Sequence, residues 1–317
     1  MKSLLKLHQV THFYGRVGAL RDVTLELPGG PIGLIGQNGA GKSTLMQILL
    51  GLIRPTHGFA EVLGLPVRSS GLALRARIGY MPERDAILPG LNGIEFVALA
   101  GELCGMPRRH AMRRGHEVLS YLGLEDARYR RLEQFSVGMT QRLKLAATLV
   151  HDPDLLLLDE PTAGLDPDGR AAMLAVLRQL AARPGKSLLL ASHLLGDIER
   201  ICDTAVILNQ GRVVRTGTPA SLRTPHPARY RLKYEGEAGA FWDSLQRLGV
   251  AVQLGERPGH AIAETPTGWA TRQFFVEAQQ HAVVLTGLEP DDEDLSAVYQ
   301  RVVEPDAGPE RKVGASR

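Results

Sequence analysis

The stretch Gly36-Gln37-Asn38-Gly39-Ala40-Gly41-Lys42-Ser43-Thr44 contains, over its first eight residues, the pattern G-x-x-x-x-G-K-[ST]. Glycines let a backbone wrap closely around a triphosphate, so that successive N–H groups face its oxygens. A lysine in the position of Lys42 reaches the β- and γ-phosphates, and a hydroxyl in that of Ser43 can ligate Mg²⁺. A second pair of candidates, Asp159 and Glu160, closes the apolar run Leu155-Leu156-Leu157-Leu158. Asp159 is placed to hold Mg²⁺, directly or through water, and Glu160 beside it is a candidate base for an attacking water.

These groups need elements to position them. Pro31-Ile32-Gly33-Leu34-Ile35 reads as a buried strand entering the glycine-rich loop. Leu45, Leu49 and Leu52 recur at helical spacing after it, which puts a bound phosphate on a helix N-terminus. Partial alternation predicts strands over 4–10 and 23–27, punctuated by Gly15, Pro28, Gly29 and Gly30. Further short strands are expected over 58–63 and 78–81, the latter running into a loop at Pro82. From about 87 to 150 the pattern turns helical. Ile94, Val97 and Ala98 mark one helix, broken at Gly105-Met106-Pro107, and Leu143, Ala146, Ala147 and Val150 mark another. Arg108, Arg109, Arg113 and Arg114 lie between them and read as a solvated helix face. The leucine run fits a parallel strand covered on both faces. A helix over 168–182 and a strand over 187–192 follow, and this alternation argues for a doubly wound α/β sheet.

The chain has 317 residues, enough for two domains, with 44% hydrophobic and 22% charged residues. A net charge of +3 is too small to argue for a nucleic-acid partner. Cys104 and Cys202 are far apart and read as buried small hydrophobes in a reducing cytoplasm. The first ten residues lack the apolar core of a signal peptide. No apolar run approaches the roughly 18 residues of a membrane span. The Pro-rich stretch at 223–228 reads as a linker. Beyond it, strand (230–234), helix (238–248), strands (251–254, 260–264), helix (269–279) and strand (282–285) give the β-α-β-β-α-β order of a ferredoxin-like α+β accessory domain over 229–303. The acidic run Asp291-Asp292-Glu293-Asp294 is expected to lead into a short last helix over 294–303, with a disordered tail over 304–317.

Phe135-Ser136-Val137-Gly138-Met139-Thr140-Gln141-Arg142 resembles the signature L-S-G-G-Q-x-Q-R of ATP-binding cassette (ABC) transporter nucleotide-binding subunits, and the resemblance covers nearly all of residues 3–222. It implies a P-loop ABC-type ATPase domain over 1–222, with antiparallel β and α-helical subdomains. Ser136 and Gly138 open the helix carrying Leu143 and Ala147, and so offer donors and a positive dipole end to a phosphate. In the family that phosphate belongs to ATP held by the opposite subunit. Ala163-Gly164-Leu165-Asp166 resembles the D-loop, which contacts the partner subunit. Ser192-His193 resembles the switch histidine at the γ-phosphate, and Tyr14 the aromatic that stacks on adenine.

The sequence departs from the family at three places. Glu83 stands where Gln is usual, Val137 replaces the first signature glycine and Met139 the glutamine. Glu83 can ligate Mg²⁺ but adds negative charge beside the triphosphate. G-Y-x-P-E and S-x-G-M-x-Q-R are common in the ATPases of type-2 exporters, and Asp294-Leu295-Ser296-Ala297-Val298-Tyr299 resembles a stretch that closes many of them. The resemblance thus implies an ATP- and Mg²⁺-dependent motor working as a head-to-tail homodimer with a separate membrane permease. Such a subunit is peripheral on the cytoplasmic face, without a membrane span of its own or a nucleic-acid partner. A soluble ABC ATPase acting on ribosomes or DNA and a phosphate-loop kinase are the alternatives.

Overall fold

In the computed structural model, β1 (Leu5–Tyr14) and β2 (Val17–Leu27) open the chain as an antiparallel pair. Both outrun the expected strands because bulges interrupt the alternation. The register shifts between Leu7 and Val10 and again before His12, and Gln9 and Asp22 have φ of 50° and 52°. Two threonine hydroxyls accept the N–H groups that the bulges divert: Gln9 donates to Thr24 Oγ1 and Asp22 to Thr11 Oγ1, each at 3.0 Å. A bulge shifts the period of two without ending the strand.

The chain continues through β3 (Pro31–Ile35), α1 (Lys42–Leu49), β4 (His57–Val62), β5 (Leu65–Pro66), α2 (Gly71–Arg75) and β6 (Ile78–Met81). β4 and β5 join the first pair in a sheet of order β2-β1-β4-β5. α1 stops short of the expected pattern, leaving Leu52 beyond it and 57% exposed. Gly51, at φ 66°, takes the left-handed turn, and the Leu52 N–H closes back on Gln47 O at 2.9 Å.

Three helices follow: α3 (Gly93–Leu103), α4 (Arg108–Tyr121) and α5 (Val137–Leu149). The four arginines expected between two helices instead belong to a third, α4, whose buried side is Ala111, Gly115, Val118 and Leu119. That i, i+4, i+7, i+8 spacing carries few large apolar side chains, which is why the helix escaped a reading by hydrophobic period. Its arginines do face solvent, with Arg114 paired to Glu117 at 2.9 Å. Cys202 is buried as expected, but Cys104 is exposed, because α3 ends at Leu103 and places Cys104 in its surface C-cap.

β7 (Leu155–Asp159), α6 (Pro167–Ala181), β8 (Ser187–Ser192), α7 (Leu195–Ile201), β9 (Thr204–Asn209), β10 (Arg212–Gly217) and α8 (Pro219–Leu222) complete this part. The six-stranded sheet has the order β10-β9-β3-β8-β7-β6, parallel throughout except for the β9–β10 pair. Every residue of β7 and β8 is buried, as a sheet covered on both faces requires. Register aligns the strand ends: Ile35 faces Ser192 and Asp159 faces Ala191. The glycine-rich loop, the Asp159-Glu160 pair and His193 therefore all leave the carboxyl ends of adjacent strands, where open α/β sheets bind ligands.

The structure describes residues 3–84, 87–222, 229–255, 257–266 and 268–290, and chain contacts divide it into two units, 1–222 and 223–317. In the second unit, β11 (Arg229–Glu235), α9 (Gly239–Arg247), β12 (Ala251–Leu254), β13 (His260–Glu264), α10 (Arg272–Gln280) and β14 (Val284–Pro290) form an antiparallel sheet of order β12-β13-β11-β14 with two helices. Leu232, Phe241, Trp242, Leu245 and Phe274 make its own core. The linker over 223–228, the acidic run 291–294, the last helix and the tail lie outside the described residues.

Candidate functional site

Between β3 and α1 the loop 36–41 turns through two glycines with positive φ, Gly39 at 83° and Gly41 at 107°. Gly41 is the N-cap of α1 at φ 107°, and a Cβ there would stand 2.6 Å from Ala19 O. Only glycine fits both conditions. No side chain caps α1 and no acid lies in its first turn, so its N-terminal N–H groups remain available to an anion. Lys42 is buried, and its ammonium donates to the loop carbonyls of Gly36 at 2.7 Å and Gln37 at 3.3 Å. Ala40 is buried beneath the loop, its N–H donating to Gln37 O at 3.1 Å, while Asn38 and Gly39 lie exposed at the tip and Thr44 is half-buried on α1.

Across from it, Ser43 Oγ donates to Asp159 Oδ2 at 2.9 Å. Glu160 Oε1 lies 4.0 Å from Lys42 Nζ and accepts the His193 N–H at 2.9 Å, while Glu160 Oε2 is 2.8 Å from His193 Nδ1. Glu160 has φ 50°, a left-handed conformation that costs a side-chain-bearing residue about 1–2 kcal/mol. Such strain clusters at functional sites. Burial pushes the carboxyls of Asp159 and Glu160 above the ordinary range. For Asp159 the Ser43 hydrogen bond opposes this and the charge of Glu83 adds to it; for Glu160, His193 and Lys42 oppose it. Tyr80, half-buried and near the charges of Asp159 and Glu83, is pushed up to about 12, by its burial first and then by the two negative charges.

The remaining candidates sit elsewhere. Ser136 caps α5, its Oγ accepting the Met139 N–H at 3.3 Å, which leaves the hydroxyl hydrogen to donate. Asp166 caps α6 by accepting from Gly169 N–H at 3.3 Å. Ser136, Gly138 and Asp166 line one cleft of about 540 Å³, which does not include the Lys42 group. Tyr14 closes β1 with its ring half exposed and its hydroxyl donating to Gln47 Oε1 on α1 at 3.1 Å. Glu83 is exposed, with its carbonyl accepting from Lys144 Nζ at 3.0 Å.

The model of the family described as ABC transporter matches residues 20–163. A curated relative, the uncharacterized ABC transporter ATP-binding protein YxlF of Bacillus subtilis, is 32% identical over 86% of this chain and 90% of its own length. The chain belongs to the ABC transporter ATP-binding proteins. The Nod factor export ATP-binding protein I of Cupriavidus metallidurans is 34% identical over 70% of this chain and 73% of its own. Among solved structures, a dimeric post-hydrolysis ATP-binding cassette with ADP and Pi bound is 26% identical, at a TM-score of 0.63 over 68% of this chain and 98% of that one.

This ABC protein binds ATP and hydrolyses it to power transport. Its residues suit the metal that such chemistry uses. Among the described residues no three His, Cys, Asp or Glu side chains converge on a metal site. A lone hydroxyl–carboxylate pair like Ser43 and Asp159 is what Mg²⁺ needs when it keeps waters and shares phosphate oxygens. Sequence reasoning missed Lys144, which is buried on α5 and contributes positive charge to Asp159, and gave Gln141 no role beyond its place in the signature, whereas its Nε2 donates to Ala163 O at 3.1 Å. Both lie off the face that Leu143, Ala146, Ala147 and Val150 mark, so the helical period carried no signal for their burial.

Proposed function

We propose that this chain is the ATPase subunit of an exporter, working as a head-to-tail dimer beneath a separate membrane permease on the cytoplasmic face. The division of the site carries this reading. Lys42, Ser43, Asp159, Glu160 and His193 gather at the strand ends, whereas Ser136, Gly138 and Asp166 line a different cleft. A second copy placed head to tail brings Ser136 and Gly138 over the phosphates held by Lys42. Dimeric structures of relatives and the Nod factor export name of another support the two halves of the proposal. Among the described residues no helix is long and apolar enough to cross a membrane, so the permease supplies the path.

Within one composite site Lys42 exchanges its loop carbonyls for phosphate oxygens, and Tyr14 stacks on the adenine. Ser43 and Asp159 would hold Mg²⁺, with Glu83 tuning it; the ion when bound offsets phosphate charge. Glu160 accepts the proton of the attacking water, and His193 orients that carboxylate through Nδ1 and its backbone N–H while facing the γ-phosphate. Catalysis is positioning and charge stabilisation, completed when two copies close. We read the second unit as a ferredoxin-like accessory domain, supported by its β-α-β-β-α-β order and the strand order β12-β13-β11-β14. It regulates or dimerises; the phosphate and acid motifs lie in the first unit. Size-exclusion chromatography of Glu160→Gln tests the dimer: ATP with Mg²⁺ shifts the protein from monomer to dimer, and a monomer at saturating ATP contradicts the proposal.

A further inference from the structure

Asp197 lies in the first turn of α7, four residues past His193 in the chain, and is 1% exposed. Its two carboxylate oxygens serve different elements. Oδ2 accepts from Thr162 Oγ1 at 2.7 Å, and Oδ1 accepts from Arg170 Nε at 2.8 Å and Nη2 at 2.6 Å. Thr162 is itself buried and lies two residues past Glu160, in a tight chain where the Ala163 N–H closes on Glu160 O at 3.1 Å and the Leu165 N–H on Thr162 O at 3.3 Å. Arg170 is in the first turn of α6, four residues past Asp166, with its N–H on Asp166 O at 2.9 Å. α7 in turn is seated hard on β3, since a Cβ at Gly33 would collide with Ile198.

These links close a ring. Glu160 is joined to Thr162 by the chain, Thr162 to Asp197 by a hydrogen bond, Asp197 to His193 by the start of α7, where the Asp197 N–H closes on the O of the Leu194 cap at 2.9 Å, and His193 back to Glu160 by two hydrogen bonds. One attachment would let the Glu160 loop pivot about His193; the second, through Thr162, fixes its angle. We propose that Asp197 is a positioning residue for ATP hydrolysis, holding Glu160, His193 and the Asp166 turn in one register through Thr162 and Arg170. The proposal rests on reading Glu160 and His193 as the hydrolytic pair. A buried carboxylate whose acceptors are all engaged makes a stiff joint, because releasing any partner strands a charge away from water.

Thr162→Val keeps the shape of the side chain and removes only the link to Asp197. In steady-state ATPase assays of the full chain with Mg²⁺, kcat falls about tenfold, equivalent to about 1.4 kcal/mol of barrier, while KM for ATP stays within about twofold. Thr162→Ser, which restores the hydroxyl, recovers kcat. Asp197→Ala lowers kcat further, and adding Thr162→Val on that background has no additional effect, as expected if both act at one joint. A Thr162→Val protein whose Tm drops but whose kcat is unchanged would make the network purely structural and overturn the proposal, as would equal losses in Thr162→Ser and Thr162→Val. Glu160→Gln measured alongside separates the two readings: an inactive Glu160→Gln with a fully active Thr162→Val refutes only the role of Asp197, whereas an active Glu160→Gln refutes the hydrolytic pair itself.

Discussion

Replacing Glu160 by glutamine keeps the shape of the side chain and removes its charge and basicity, so it separates what the carboxylate does for catalysis from what it does to the fold. At 4.0 Å from Lys42 Nζ the lost attraction is about 4 kcal/mol at an effective dielectric of about 20. The two hydrogen bonds from His193 are each worth about 1.5–3 kcal/mol to a charged acceptor. Opposing them is the desolvation of a carboxylate left only 4% exposed. The upward shift of the Glu160 carboxyl, with burial as its largest cause, shows that desolvation wins. The folded protein therefore holds the Glu160 proton more tightly than the unfolded chain does. That contribution to stability is present below the unfolded pKa and is lost as pH rises through the higher folded one. Glu160→Gln should raise the Tm of the nucleotide-free protein at about pH 8 and leave it nearly unchanged at about pH 4, near the ordinary glutamate value. Catalysis moves the other way: kcat falls by on the order of 10²-fold or more while ATP still binds. Phosphate release at saturating Mg²⁺ and thermal melts across this pH range check both signs. Near-normal turnover would remove Glu160 as the base, and a lower Tm at pH 8 would show that Lys42 and His193 outweigh burial.

Other perturbations probe the neighbouring groups. Glu83→Gln removes a charge that raises the carboxyl of Asp159, so the Mg²⁺ dependence should shift while saturating kcat stays within a few-fold; a loss as deep as that of Glu160→Gln would contradict this. Gly41→Ala forces a Cβ to 2.6 Å from Ala19 O at φ 107°, so it should destabilise the protein by more than the about 0.4–1 kcal/mol that such a change gains at a compatible site, lowering Tm, and abolish ATP binding in calorimetry. Normal binding there would show that the loop tolerates a side chain. Ending the chain after Leu222 should leave a soluble fragment with unchanged ATP affinity; failure to fold or to bind would merge the two units.

Local signals with one physical cause were legible in the sequence. The leucine run of β7, the strand–loop–helix around Lys42 and the six elements of the second unit are each dictated by burial period or by glycine, and the structure holds them close to the expected positions. What escaped depended on tertiary partners. The length of β1 and β2 rests on bulges whose N–H groups find Thr11 and Thr24, and α4 buries alanine and glycine rather than large apolar residues. In the site, Lys42, Ser43, Asp159 and Glu160 were named by type and spacing. The pairing of Glu160 with His193 and the joint at Asp197 were not, because they arise where β7 and β8 end side by side, and a single chain of letters does not state which strands are neighbours.

The central claim, that each hydrolytic site draws on two copies, is tested most directly by mixing two inactive variants. Glu160→Gln disables the base, and Ser136→Arg blocks the α5 terminus that meets the other copy's phosphates. Each homodimer then has two damaged sites, but a mixed dimer contains one site with Glu160 and Ser136 both intact. Co-refolded or co-expressed mixtures should recover a measurable fraction of wild-type phosphate release. Activity no greater than that of either variant alone, in mixtures shown to contain the mixed dimer, would place the whole site within one chain and contradict the account.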